Sequence, residues 1–347
     1  MLLPRTTRGA AGPDASLHDA LKPRQGSPVG SKAAFVLAEV LVGIAALAAW
    51  TTPLRAGTIA IPNGSFESPV VPPVSPYAAP DMDYWQKSPQ PAWYDPSLNY
   101  NTPWEDLMGT FYNAPYPGTF IDNCDGTQAA FLFAVPEAAV FQDYDSIYGT
   151  NTTPSHAFNA KFNVNSAYSL TVGVIGGVNG SPPLYEGATL QLSLYYRDAA
   201  SNMVIVAATT ITNSAQLFPT NTHFIEFSVQ LPAVQATDSW AGQHIGVQIA
   251  STVGFDMANG YWDVDNARLT ETVLPALNDP RTTNSQFGFT VQSEPGLRFE
   301  ILAASNPALS LSNWTSLGIL TNIMGTAPFL DPTTNLDHRF YQAHQLP

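Results

Sequence analysis

The distribution of hydrophobic and polar positions predicts short β-strands along most of the chain from residue 57 onward. Apolar and polar residues alternate in several runs, and this period of two is typical of half-buried strands. Gly, Pro, Asn and Asp separate the runs. The predicted strands include 168–175, 189–195, 203–211, 223–231, 244–249 and 261–269. Strands at such spacing are typical of a β-sandwich or jelly roll.

One segment, residues 129–135 (AAFLFAV), is apolar at consecutive positions rather than at alternate ones. This pattern indicates a strand that is buried on both faces. An Asp125-Gly126 turn precedes it, and a second strand-like run at 139–144 follows Pro136 and Glu137. We therefore expect a central hairpin on which the other strands assemble.

Residues 68–118 are rich in Pro, Tyr and Trp and show almost no strand periodicity. A segment of this kind inside a compact domain is often functional. Trp and Tyr rings stack on the apolar faces of sugars, while neighbouring polar side chains bind the hydroxyls. The segment therefore predicts a carbohydrate site formed by Trp85, Trp93, Tyr94 and Trp104. In the alternative interpretation, these rings pack the segment onto the sandwich.

The first 56 residues predict a disordered leader followed by an export or anchor helix. Residues 1–32 are polar with scattered basic positions, and residues 33–50 are apolar apart from Glu39. Phe35, followed by Glu39 at the fifth position, resembles the start of type IV prepilin-like proteins. We expect a secreted or surface-anchored protein that meets a membrane only through this segment, with a signal peptide that is either cleaved or retained.

Composition and net charge indicate which class of partner the protein binds. The chain has 347 residues, of which 45% are hydrophobic and only 12% are charged, and its formal net charge is −14. An acidic surface repels nucleic acid and anionic lipid, so we expect a neutral polysaccharide or glycoconjugate as the partner. The single cysteine, Cys124, excludes a disulfide within the chain.

Motifs of catalysis are absent from the sequence. It contains no HExxH pair, no GxSxG elbow, no P-loop and no GxGxxG loop. We therefore predict a protein that is not an enzyme and that binds carbohydrate. Two other readings stay open: a structural or adhesion protein of the cell envelope or of a pilus-like assembly, and a glycoside-active enzyme whose paired carboxylates only the fold brings together.

Acidic residues near both ends of the predicted sandwich suggest a structural Ca²⁺ ion. Glu67 follows the first strand, Asp265 and Asp263 lie in the last strand, and Asp125 lies in a turn between them. Calcium binds several oxygens, mostly from carboxylates and carbonyls. If the terminal strands are neighbours, Glu67, Asp125 and Asp265 converge as ligands. The alternative is that they are solvated turn acids.

Several short motifs occur in an order that resembles the galactose-binding-like jelly roll of carbohydrate-binding modules. They are Asn63-Gly64-Ser65-Phe66-Glu67, Trp85, Asp125-Gly126 with Ala129, Gln142, Tyr168 with Leu170 and Val172, and Trp262 with Asp265, Asn266, Arg268 and Leu269. The resemblance implies a jelly roll over 57–273 and a calcium ion that joins Glu67 to Asp265. The aromatic segment 68–118 departs from the family pattern.

The end of the chain predicts a second, smaller β domain. Residues 274–284 indicate a linker because they contain Pro275 and Pro280 among polar residues, and 285–347 contain strand patterns. Asn313-Trp314-Thr315 and residues 339–343 (RFYQA) resemble a short β unit at the C-terminus of secreted bacterial proteins. The expected organisation is therefore a leader at 1–56, a jelly roll at 57–273, a linker, and a small β domain.

Overall fold

The structure is a computed structural model that describes residues 57–98, 101–113, 118–177, 183–284, 286–331 and 339–346. These residues form eighteen β-strands and four 3₁₀ helices of three or four residues each. The prediction of an all-β sandwich is confirmed. The predictions for residues 1–56 lie outside the described residues. Within the part that the structure describes, no helix has the length and hydropathy needed to cross a membrane.

The first sheet is antiparallel and has the strand order β10-β7-β12-β5-β4-β2, with β1 also paired to β12. Its strands are β1 (Gly57–Ile59), β2 (Ala78–Ala79), β4 (Met108–Tyr112), β5 (Gln128–Phe133), β7 (Ser166–Ile175), β10 (Ile225–Leu231) and β12 (Tyr261–Val273). The pairing of β1 with β12 places the first and last strands of the sandwich side by side, which is the condition for Glu67 and Asp265 to converge.

The second sheet, also antiparallel, has the order β3-β6-β11-β8-β9. Its strands are β3 (Gln86–Lys87), β6 (Ala139–Gln142), β8 (Thr189–Arg197), β9 (Met203–Thr212) and β11 (Gly246–Ser251). The core lies between the two sheets, where Leu132 and Trp262 of the first pack in one cluster with Leu192 and Val247 of the second. Burial of these side chains is the main force that holds the sheets together.

The register of β5 against β12 positions the candidate site. Successive side chains of a strand point to opposite faces, so Leu132 enters the core while Phe131 and Phe133 face outward. Asp263 pairs with Phe131 and Tyr261 pairs with Phe133 across the two strands. These four side chains therefore share the outer face of the first sheet.

The segment 68–118 has more regular structure than the sequence predicts. It contains β2, β3 and β4, together with 3₁₀ helices at Pro96–Leu98 and Trp104–Leu107. β4 pairs along its whole length with β5. β4 was not predicted because a run as short as MGTFY has no clear period of two.

The last strands form two three-stranded sheets with the orders β13-β14-β17 and β16-β15-β18. The strands are β13 (Ala276–Thr283), β14 (Gln286–Gln292), β15 (Arg298–Ala304), β16 (Thr315–Thr321), β17 (Thr326–Leu330) and β18 (Phe340–Leu346). Phe289, Val291, Phe299 and Ile301 form their common core. The predicted linker at 274–284 is wrong, because β13 pairs with β14 across most of that segment.

Candidate functional site

A cavity of about 360 Å³ lies against the outer face of the first sheet, on the side away from the sandwich core. Its main lining residues are five aromatic side chains and one carboxyl group: Tyr77, Phe111, Phe131, Phe133, Tyr261 and Asp263. The wall also includes Pro76, Ala78, Thr119, Ile121 and Asn221. The cavity is therefore a concave, mostly apolar site with few polar groups, which is typical of small-molecule sites.

The aromatic wall is built from ring-to-ring contacts along β5 and β12. The centroids of Phe131 and Phe133 are 6.2 Å apart in an edge-to-face arrangement, and those of Phe133 and Tyr261 are 5.8 Å apart. Gly109 in β4 lies opposite Phe131 in the ladder, and a Cβ atom there would be 2.8 Å from Phe131 Cζ. Glycine at position 109 therefore leaves room for the Phe131 ring.

Asp263 is the acidic group of the cavity. Its cross-strand neighbours are Phe131 on β5 and Ile175 on β7, both apolar. The carboxyl group faces the cavity, but burial among these side chains raises the pKa of Asp263 to about 8. Burial, followed by the proximity of Asp263, also raises the pKa of Tyr261. At neutral pH, Asp263 is therefore mainly a neutral acid that can donate a hydrogen bond.

Three of the four rings predicted for sugar stacking are buried. Trp85, Tyr94 and Trp104 are 4%, 6% and 2% exposed, and they belong to the sandwich core. The indole Nε1 of Trp85 donates to the Asn63 carbonyl oxygen at 3.0 Å, and that of Trp104 donates to the Ser88 carbonyl oxygen at 2.7 Å. These rings pack segment 68–118 onto the sandwich, so the stacking role predicted for them is wrong.

Trp93 is the exposed member of the predicted set, with 38% of its surface accessible. Its ring meets Phe255 edge-to-face at a centroid distance of 4.9 Å, and its Nε1 donates to Glu137 Oε1 at 2.9 Å. Trp93 does not line the aromatic cavity. It offers a separate surface on which a sugar ring could stack.

Glu67 and Asp265 converge on one turn, as the calcium hypothesis requires. Glu67 Oε1 accepts hydrogen bonds from the backbone N–H groups of Thr127 and Gln128, at 2.8 and 2.7 Å. Asp265 Oδ2 accepts a hydrogen bond from the N–H of Asp125 at 2.7 Å, whereas the residue Asp125 itself is exposed. Among the described residues, no group of three or more acidic, His or Cys side chains is arranged to hold a metal ion.

The chemistry of these two carboxylates nevertheless suits a calcium ion. Asp265 is fully buried, and burial raises its pKa to about 7. It forms no ion pair within the described part of the chain. A bound cation would therefore stabilise its ionised form. Carboxylate oxygens from Glu67 and Asp265 are of the type that calcium prefers, with backbone carbonyl oxygens or water as further ligands.

No protein-family model matches the chain. No curated protein matches it either. Solved structures of similar fold include the Stig cyclase Fisc from Fischerella sp. TAU in complex with an indole compound. That structure has 20% identity and a TM-score of 0.44, and the alignment covers 63% of this chain and 99% of the cyclase.

Carbohydrate-binding modules are also among the structures of similar fold. The xylan-binding module CBM15 has 12% identity and a TM-score of 0.29, over 56% of this chain and 94% of the module. The CBM22-1-GH10 modules of a Clostridium thermocellum endo-1,4-beta-D-xylanase, solved with xylohexaose, have 15% identity and a TM-score of 0.25, over 43% of this chain and 23% of that chain. At these identities the likeness concerns the fold alone.

The prediction that the chain is not an enzyme is contradicted by the comparison with the cyclases. The prediction rested on the absence of sequence motifs. Such motifs report only those active sites whose residues are close in sequence, whereas a sandwich also brings distant residues together.

Sequence reasoning missed the aromatic wall of the cavity: Tyr77, Phe111, Phe131, Phe133 and Tyr261. The uninterrupted apolar run at 129–135 was a signal, because it indicated that the second face of β5 is also covered. Asp263 was considered only as a possible metal ligand. Its position opposite Phe131 follows from the strand register, which the sequence does not specify.

Proposed function

We propose that this protein binds a small ring-containing organic molecule in the aromatic cavity and exchanges a proton with it through Asp263. The observation that carries the proposal is the Asp263 carboxyl group in an aromatic-lined cavity, with apolar neighbours on both adjacent strands. The rings bind a flat or apolar ligand by stacking and keep water away from it. The carboxyl group supplies the polar contact that orients the ligand.

The acid–base properties of the cavity support this activity. A general acid or base works best when its pKa lies near the working pH, and the pKa of Asp263 is about 8. The Tyr261 phenol, with its raised pKa, stays protonated at neutral pH and supplies a hydrogen-bond donor to the same cavity. The two groups together suit the protonation or deprotonation of a bound ligand.

Calorimetric titration of the full chain with 4-(1H-indol-3-yl)butan-2-one tests the proposal, because this compound is bound in one of the cyclase structures of similar fold. We expect saturable binding that Phe131→Ala weakens by about tenfold, because it removes one stacking ring. Asp256→Asn, which changes an exposed acid outside the cavity, is the matched control and should leave the affinity unchanged. Binding that is absent, or that Phe131→Ala does not alter, would contradict the proposal.

The second candidate function is polysaccharide binding at the surface. The exposed Trp93, beside Phe255, favours it because an accessible indole suits the apolar face of a sugar. Carbohydrate-binding modules of similar fold are consistent with this candidate. Titration with xylohexaose distinguishes the two functions. Binding that Trp93→Ala abolishes and Phe131→Ala leaves unchanged would establish the surface site instead of the cavity.

We also propose that a structural calcium ion joins Glu67 to Asp265 beside the turn at 125–128. A metal that binds only the folded state raises its stability. A chelator should therefore lower the melting temperature of the full chain, and Glu67→Gln or Asp265→Asn should abolish the difference. Asp256→Asn is again the control. A melting temperature that chelation leaves unchanged would rule out the ion.

Export remains a proposal that rests on the sequence of residues 1–56. We propose that the protein acts outside the cell or at its surface, where a polysaccharide or a small molecule would reach it. Cell fractionation tests this directly. Recovery of the protein only in the cytosolic fraction would overturn the proposal.

A further inference from the structure

The Asp263 carboxyl group has no partner among the residues that the structure describes. It forms no hydrogen bond and no ion pair within the described part of the chain, although other acids do, such as Asp143 with Arg197. Asp263 is half-buried, and carboxyl groups shielded from solvent normally meet a cation or several hydrogen-bond donors. The Asp263 carboxyl group faces the cavity without a cation or a hydrogen-bond donor from these residues. We therefore expect a bound ligand to supply its partner.

The cavity wall specifies the sign of charge that this ligand carries. Five aromatic rings line the site, and the face of an aromatic ring is the negative part of its charge distribution. Rings of this kind attract ammonium groups by cation–π interaction, by about 0.5–2 kcal/mol for each well-placed ring. Among the described residues, no Lys, Arg or His side chain lines the cavity, so none of them competes for the carboxyl group or repels a cation.

From this geometry we propose that the cavity selects an organic cation, a quaternary or protonated tertiary ammonium group on a small apolar skeleton. The ammonium group pairs with Asp263, and the skeleton packs among the rings of Phe131, Phe133 and Tyr261. The net charge of −14 favours the approach of a cation to the protein as a whole. This inference rests on the proposed function and names the class of ligand for the same site.

Choline and 3,3-dimethylbutan-1-ol test the inference. The two molecules have similar shapes, but choline has a charged nitrogen where the alcohol has a neutral carbon. We expect the full chain at pH 7 to bind choline at least about tenfold more tightly than the alcohol. Calorimetric titration measures both affinities. Asp263→Asn should abolish the preference for choline, while Asp256→Asn should leave it intact.

The outcomes separate the inference from the function on which it rests. Equal affinity for choline and the alcohol would overturn the cation inference, whereas binding of the indole probe would still support the cavity function. Failure of all three probes to bind would overturn both. A preference for choline that persists in Asp263→Asn would show that another group pairs with the cation, and would also overturn the inference. If Asp263→Asn binds the alcohol as the natural protein does, the cavity of the variant is intact.

Discussion

The raised pKa of Asp263 links the stability of the protein to pH at the scale of a single residue. The unfolded chain loses this proton near pH 4, whereas the folded protein holds it until about pH 8. Between these values the folded state binds more protons than the unfolded state. The contribution of Asp263 to the free energy of unfolding therefore falls as the pH rises through this window.

Asp263→Asn removes this dependence, because an amide does not ionise. We expect the variant and the natural protein to melt alike near pH 4. At pH 8 the variant should be more stable by on the order of 2 kcal/mol, after allowance for solvent at the cavity face of the group. Thermal melts at the two pH values measure the difference, with Asp256→Asn as the control. A difference that does not grow with pH would show that Asp263 is ionised in the folded protein.

Trp104 and Trp93 are eleven positions apart but have opposite structural roles. Trp104 is 2% exposed and its indole N–H is bonded to Ser88, whereas Trp93 lies at the surface. We expect Trp104→Ala to lower the free energy of unfolding by about 3–5 kcal/mol, and Trp93→Ala by about 1 kcal/mol or less. Urea unfolding measures both changes. Equal losses would contradict the assignment of Trp104 to the core.

At the scale of elements, the pairing of β2 with β4 depends on Gly109. A Cβ atom at this position would overlap the Ala79 carbonyl oxygen and would also lie 2.8 Å from Phe131 Cζ. Gly109→Ala should therefore displace β2 and the Phe131 ring, destabilise the protein by about 1–3 kcal/mol and weaken binding of the indole probe. Gly57→Ala is the control, because a Cβ atom there meets only Glu271 O at 3.8 Å. Equal effects of the two changes would contradict this role.

Strands with a clear period of two could be predicted from the sequence, and the structure has β7, β8, β9 and β12 close to their predicted bounds. Alternation is a local property, so a single sequence carries it. β4 and β13 were missed because β4 is short without a clear alternation and β13 contains Pro280 among polar residues. The same limit applies to the cavity, whose rings come from β4, β5, β12 and the segment at 76–78.

At the scale of the whole molecule, the two larger sheets and the cavity are complete before the C-terminal sheets begin. The described residues that line the cavity lie between positions 76 and 263, and the final strand of the first sheet ends at Val273. The C-terminal sheets have their own core around Phe289 and Phe299. A hydrogen bond from the Val273 N–H to Glu294 Oε1, at 3.3 Å, joins the end of β12 to the later sheets.

We therefore predict that a chain ending at Leu274 keeps the cavity. Its last residue still donates its N–H to the Asn165 carbonyl oxygen at 2.8 Å, so the end of β12 stays attached to the sandwich. The affinity for the indole probe should remain within about twofold of that of the full chain, because a domain with its own core folds independently. Calorimetry and a thermal melt of the shortened chain measure this. Loss of the cooperative melt would show that the C-terminal sheets stabilise the sandwich that holds the site.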